Sequence, residues 1–267
     1  MNNAKIAEIL TRVRAQKPLL HHITNFVVMN DTANLTLHIG GLPVMAHAKE
    51  EMEEMTAIAN CLILNPGTLD EEWVHSMNIA GKKANALGIP IVLDPVGAGA
   101  TKYRTKVNTD FLQNLRIAAL RGNQGEIAAL AGAGGKVRGV ESVEDVTGIE
   151  SAAMRMAEKY GAVVAITGKR DIIASRDSLY FVDNGHERMA SITGTGCMST
   201  TMVGAFIAVE KDFALASAAA LACFGLAGEI AARQAEGPAS FRVALLDAVA
   251  NLEPEMVLRN ARVTKMK

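Results

Sequence analysis

CLILNPGTLDEEWVHSMNIAGKKANALGIPIVLDPVG, residues 61–97, reads as one strand–helix–strand unit. Its first run, 61–65, is apolar until Asn65 and has the length of a strand. A helical pattern follows over 70–87, and Gly88 then Pro90 closes it, which is ordinary helix-stop chemistry. A second apolar run, 89–94, ends on Asp94. Strands that are apolar throughout, rather than alternating, belong in a parallel sheet covered on both faces.

The same alternation extends outward in both directions. Further strands are expected at 19–24, 42–46, 117–120 and 162–167, and further helices at 50–60 and 148–160. This order gives an α/β fold with a mostly parallel central sheet and helices on both faces. Beyond 167 the pattern changes. The β-prone stretches 171–175 and 178–182 flank Arg176-Asp177 as a tight hairpin. From Cys197 to about Leu252 three helices follow, broken near Asp212 and at Gly237-Pro238. The glycine-rich stretch 131–139 is expected to be a loop.

The chain has 267 residues, of which 49% are hydrophobic and 21% charged, so it can bury a large core without disulfides or a structural metal. Its 27 basic and 28 acidic residues leave a formal charge of -1, which offers no bulk attraction to nucleic acid or an anionic membrane. The aromatic fraction of 4% is too small for a base-stacking platform. Cys61, Cys197 and Cys223 are odd in number and widely spaced, as in a reduced cytoplasmic compartment. The N-terminus carries charges through an amphipathic pattern and lacks the apolar core of a leader. The uncharged stretch 213–228 is shorter than a membrane span and suits a buried helix.

Several chemistries lose their sequence pointers. Gly81-Lys82, Gly135-Lys136 and Gly168-Lys169 all lack the Ser/Thr and spacing of a P-loop, and no dinucleotide fingerprint follows any strand. Zinc-peptidase and hydrolase-elbow motifs are missing too. Three clusters remain. ITGTGCMST, residues 192–200, puts two glycines and small hydroxyl residues before a helix with Met198, Met202, Val203, Phe206 and Val209 along it. Backbone N–H groups around Gly194 and Gly196, with the helix start, make an anion site beside Cys197; a small capping or core cysteine is the ordinary alternative. LDPVG at 93–97 places Asp94 at the carboxyl end of a strand, where open sheets bind ligands. RGNQGE at 121–126 brings Arg121 and Glu126 to the same edge. Asp94 and Glu126 could hold Mg²⁺ through its waters; a capping Asn123 with a solvated carboxylate is the competing reading. His21-His22 reads as structural, and among the methionines only Met45, at a strand end, carries a functional expectation.

Taken in register, HITNFV (22–27), PVMA (43–46), NPGTL (65–69), LDPVGAGAT (93–101), RGN with Glu126-Ile127, ITG (166–168) and 193–198 resemble the hydroxyethylthiazole kinase family of the ribokinase-like superfamily. The likeness runs from about Pro18 to beyond Ala208. Pro66, where relatives commonly carry Ile, and Tyr103 depart from the pattern without removing a functional group.

The resemblance implies one ribokinase-like domain over 1–267 and a reaction. ATP would phosphorylate the hydroxyl of 4-methyl-5-(2-hydroxyethyl)thiazole, giving ADP and a thiamine precursor. It implies acceptor contacts at Met45 and Gly194, with Asn25 and Val27 in the same pocket. Arg121 and Thr167 match ATP-binding positions, and Asp94 and Glu126 the Mg²⁺–phosphate region. Cys197 stands where the wider superfamily has a proton-accepting Asp; a helix start lowers a Cys pKa while incoming phosphate charge pushes it back up, which leaves Cys197 a weak base or an orienter. Homotrimers with the pocket at a subunit boundary are implied as well. A nucleotide-dependent hydro-lyase on the same fold is the competing enzyme, although such proteins usually carry Asp in place of Cys197. A non-catalytic binding protein is the third reading.

Overall fold

A computed structural model of the chain describes residues 3–132, 137–138, 141–142 and 148–266. Its elements, in order, begin with α1 (Asn3–Gln16), β1 (Leu19–Ile23), α2 (Met29–Ile39), β2 (Leu42–Val44), α3 (Met52–Ile58) and β3 (Cys61–Leu64). There follow α4 (Glu71–Leu87), β4 (Ile91–Leu93), α5 (Lys102–Asn114), β5 (Ala119–Asn123) and α6 (Gln124–Leu130). A small antiparallel pair, β6 (Val137–Arg138) and β7 (Glu141–Ser142), precedes α7 (Ile149–Tyr160) and β8 (Val163–Thr167). The hairpin β9 (Asp171–Ala174) and β10 (Leu179–Val182) leads through a 3₁₀ turn, Glu187–Ser191, to α8 (Thr195–Ile207). The chain ends with α9 (Phe213–Gln234), α10 (Pro238–Ala250), α11 (Pro254–Asn260) and β11 (Val263–Lys265). The loop expected over 131–139 falls largely outside the described residues.

Nine strands form one sheet in the order β11-β10-β9-β8-β5-β4-β3-β1-β2. The six from β2 to β8 run parallel, and β9, β10 and β11 add an antiparallel edge. Side chains alternate between two cores, as the pleat requires. Cys61 and Ile63 face α1, α2 and α8–α11 with Val92, Val163 and Ala165. Leu62 and Leu64 face α3–α7 with Ile91, Leu93, Val164 and Ile166. The chain leaves β1 toward the β2 edge and then returns over it to β3. The strand order therefore reverses between β1 and β3, the kind of point beside which open α/β sheets bind ligands.

Local chemistry sets the boundaries. Gly88 adopts φ 72° and closes α4, its N–H reaching back to the last turn. Asp212 caps α9 through Leu215 N, and Gly237-Pro238 starts α10, as the sequence suggested. β2 and β4 are shorter than expected, which leaves Met45 and Asp94 just beyond strand ends. α9 extends well past the 16 uncharged residues: at 22 residues it is long and apolar enough to cross a membrane, yet 78% of its most apolar window is buried inside the fold. Ala and Gly on nearly every face let α8, α10 and the sheet close around it.

Candidate active site

Asn25, Asn65 and Asp94 follow the carboxyl ends of β1, β3 and β4, Arg121 lies within β5 and Thr167 ends β8, and the N-terminus of α8 packs against this edge of the sheet. Gly194 begins α8 in the left-handed region, at φ 91°, and its carbonyl accepts from Met198 N at 2.8 Å. A side chain there would be strained, and its Cβ would press on Val28 Cγ1 at 3.1 Å. Gly196 is needed for another reason: a Cβ would stand 2.9 Å from Arg121 Nη1. The two terminal nitrogens of the guanidinium thus lie against the first turn of α8.

Arg121 is buried, bonds Thr167 Oγ1 through Nη2, and holds Nη1 3.6 Å from Asp94 Oδ1. Its Nε has no hydrogen-bond partner. Asp94 Oδ2 accepts from Asn65 Nδ2 at 3.0 Å and from Thr200 Oγ1 at 2.8 Å. Its Oδ1 is buried without a hydrogen bond. Burial pushes the Asp94 carboxyl above its usual range, opposed chiefly by the Arg121 charge and then by the Thr200, Cys197 and Asn65 side chains.

Cys197 Sγ sits 3.1 Å from Asn65 Nδ2 and 3.6 Å from Asn25 Nδ2. Asn25 Nδ2 also donates to Asn65 Oδ1 at 2.8 Å, and a Cβ on Gly67 would strike Asn25 Nδ2 at 2.7 Å. The helix start does not lower the Cys197 thiol. Burial, reinforced by the Asp94 charge, pushes it up to about 12. Of the two roles open to Cys197, weak base or orienter, this favours the orienter, because a desolvated thiol beside a carboxylate stays protonated.

Glu126 and Asn123 form a reciprocal capping box at the start of α6, and Glu126 is buried rather than solvated. Its Oε2 accepts from Asn123 N at 2.9 Å and its Oε1 from Gly97 N at 2.8 Å. Burial, and then the Asp94 charge, raise the carboxyl to about 7. Glu126 thus belongs to the same electrostatic unit as Asp94 while clamping the 95–97 loop. Among the described residues no three His, Cys, Asp or Glu side chains gather to hold a metal. Asp94 Oδ1, which faces Arg121 Nη1 at 3.6 Å and accepts no hydrogen bond among the described residues, suits an ion such as Mg²⁺ that keeps its waters and takes most ligands from phosphate oxygens.

A cavity of about 860 Å³ opens on the other side of Arg121. Thr167, Gly196 and Ser199 line its polar end, and Met189, Leu221 and Phe224 its apolar end. Asp171 closes the β8–β9 turn by accepting from Gly168 N at 3.0 Å, and burial pushes its carboxyl up to about 7. The two remaining expected positions lie on the opposite flank. Val27 is exposed and joins the cluster through its N–H on Asn25 Oδ1, at 3.1 Å. Met45 is half-buried on the loop after β2, which His21 Nε2 ties to β1 through Ala46 O at 3.0 Å. His21 is thus structural, as expected. Sequence reasoning gave no separate role to Asn65, Thr200 or Asp171, although Asn65 stands at a strand end and Thr200 within one helical turn of Cys197.

Across residues 10–255 the chain matches the sequence model of the hydroxyethylthiazole kinase family. It is 58% identical to a hydroxyethylthiazole kinase of Chloroflexus aggregans over 99% of this chain and 95% of that one. With the hydroxyethylthiazole kinase of Methanocella arvoryzae it shares 52% identity over 98% and 99% of the two chains. The solved hydroxyethylthiazole kinase structure from Pyrococcus horikoshii superposes with a TM-score of 0.89 at 42% identity, covering 98% of this chain and 99% of that one. These relatives lend the hydro-lyase alternative no support. The chain belongs to the hydroxyethylthiazole kinase family.

Proposed function

We propose that the protein transfers the γ-phosphoryl group of ATP to the hydroxyl of 4-methyl-5-(2-hydroxyethyl)thiazole, releasing ADP and the thiazole phosphate, with all of 1–267 acting as one ribokinase-like domain. The observation that carries this reading is the seat of Arg121 on Gly196. It sets one buried cation and one helix N-terminus between the 860 Å³ cavity and the Asn25–Asn65–Asp94–Cys197 cluster. ATP fits the cavity, its base on the apolar end and its phosphates toward Thr167 and Arg121. The acceptor fits the other flank, along Asn25, Val27, Met45 and Gly194.

Phosphoryl transfer through a loose transition state asks for alignment and charge stabilisation more than for a strong base. The alcohol oxygen bonds to the γ-phosphorus as the bond to the β-bridging oxygen breaks, and ADP leaves with that oxygen. Backbone N–H groups from Gly194 to Cys197 stabilise the equatorial oxygens, and Arg121 offsets charge on the leaving side. Cys197, protonated, orients the acceptor hydroxyl rather than deprotonating it, and the alcohol proton passes late to an oxygen of the transferred phosphoryl group and from there to solvent. Mg²⁺, when bound with ATP, would neutralise β- and γ-phosphate charge, with Asp94 Oδ1 facing its water shell and Glu126 supporting the region.

A homotrimer is part of the proposal. Phe26 and Val27 on the loop after β1, Leu37 on α2, Leu42 on the edge strand β2 and Ile58 at the end of α3 are exposed apolar side chains. An edge strand with exposed apolar side chains on and around it suits closure against further copies. A cytoplasmic setting fits the three free thiols. The test is ADP release with each component omitted in turn. Release that needs both ATP and the thiazole alcohol supports the kinase; ATP consumption indifferent to the alcohol overturns it.

A further inference from the structure

Three aromatic rings meet where the acceptor flank joins α4. The His47 imidazole stacks on the Trp73 indole with centroids 4.1 Å apart and planes 22° from parallel. Phe26 packs against the same indole at 4.8 Å and 54°. Trp73 Nε1 donates to Thr24 O at 3.1 Å, one residue before Asn25. The Trp73 backbone is itself fixed, since its N–H caps α4 on Asp70 Oδ1 at 2.8 Å. A further bond, Phe26 N to Thr68 Oγ1 at 3.2 Å, ties the 24–27 loop to the turn that precedes α4.

One side chain on a rigid helix end therefore reaches two separate loops. The 24–27 loop carries Asn25 and Val27, and the 45–47 loop carries Met45. Neither is a strand, and α4 is the firmer element beside them. Burial holds the His47 imidazole down at about 4, so the ring on the indole is uncharged at neutral pH and stacks as an apolar plate.

We propose that Trp73 is a positioning residue for the acceptor: it clamps Phe26 and His47 so that the 24–27 and 45–47 loops stand at a fixed separation, setting acceptor affinity and not nucleotide affinity. This rests on the acceptor placement proposed above. Removing the indole frees two ring contacts and one hydrogen bond, and the loops must then be ordered each time the acceptor binds.

Trp73 is the only tryptophan in the chain, so its fluorescence reports the clamp directly. Titrating the wild-type protein with the thiazole alcohol, excited at the red edge of the indole band, should give a saturable change, whereas ATP alone should give little. Trp73→Ala should raise the acceptor KM about tenfold or more, with kcat and the ATP KM within about threefold. Trp73→Phe, which keeps a ring but loses the N–H, should recover part of that loss. A flat acceptor titration, or an equal rise in both KM values, overturns the clamp. Met45→Ala separates the two possible failures. An unchanged acceptor KM there removes the acceptor placement and the clamp with it. A raised KM there beside an unmoved Trp73→Ala removes the clamp alone.

Discussion

Replacing Cys197 distinguishes a base from an orienter. With the thiol pushed up to about 12, the thiolate fraction at pH 7 is on the order of one in 10⁵. A group so rarely ionised cannot supply the roughly 10²–10⁴-fold that a positioned general base gives. What Cys197→Ala removes is one weak contact to the acceptor hydroxyl, on the scale of about 1 kcal/mol, or less than about tenfold in rate. The Asn25–Asn65 bond and the Asn65 and Thr200 bonds to Asp94 Oδ2, at 3.0 and 2.8 Å, do not involve the thiol and remain in that variant. Cys197→Asp should retain or raise turnover, since a carboxylate can accept the proton outright. Beside Asp94 that carboxyl would be raised too, so its rate should climb with pH where the parent's is flatter. The assay is steady-state turnover at saturating ATP and thiazole alcohol, from about pH 6 to 9, for parent, Ala and Asp proteins. A loss beyond about a hundredfold in the Ala variant, with KM values unchanged, would refute the reasoning.

Gly196→Ala should raise the ATP KM by about tenfold or more while leaving the fold intact, because its Cβ would displace Arg121 Nη1 from 2.9 Å; steady-state kinetics and circular dichroism check both halves. Glu126→Ala should lower kcat at least about tenfold and also lower Tm by about 2–4 °C, the cap alone contributing about 1 kcal/mol. Near-normal turnover in that variant at ordinary Mg²⁺ removes Glu126 from the phosphate region. Asp171, raised from 3.8 to about 7, binds more protons folded than unfolded across that window. Its contribution to stability is therefore present at low pH and lost as pH rises through about 7. Between pH 5 and 8, Asp171→Asn should gain on the parent by on the order of 5 °C in Tm; a constant difference contradicts the assignment.

The parallel strands were legible because they are buried on both faces, so Cys61–Leu64 and Val163–Thr167 read as continuous apolar runs. α2 was not, because its buried face includes Asp31, Thr32 and Thr36, whose hydroxyls bond back to Val28 O and Thr32 O. α5 buries only Val107, Asn108, Phe111 and Leu112 and carries little apolar period. β11 is a three-residue edge strand whose existence depends on β10. In the site, Asp94, Arg121 and the 194–197 glycines could be named from strand ends and a helix start. The pairing of Gly196 with Arg121 could not, nor could the span of Asn65 between Asp94 and a thiol 132 residues away, because both arise only when α8 docks on the sheet. The choice between the two roles of Cys197 could not be made from sequence for a related reason. A helix start is visible in sequence, but desolvation is not, and here desolvation dominates.

Phosphorus NMR of the protein with ATP, Mg²⁺ and 4-methyl-5-(2-hydroxyethyl)thiazole shows where the γ-phosphoryl group goes. Its signal should be replaced by a phosphomonoester resonance, coupled to the hydroxyethyl protons and growing in step with ADP. Inorganic phosphate in its place, or an unchanged ATP spectrum at full protein folding, would contradict transfer to the alcohol.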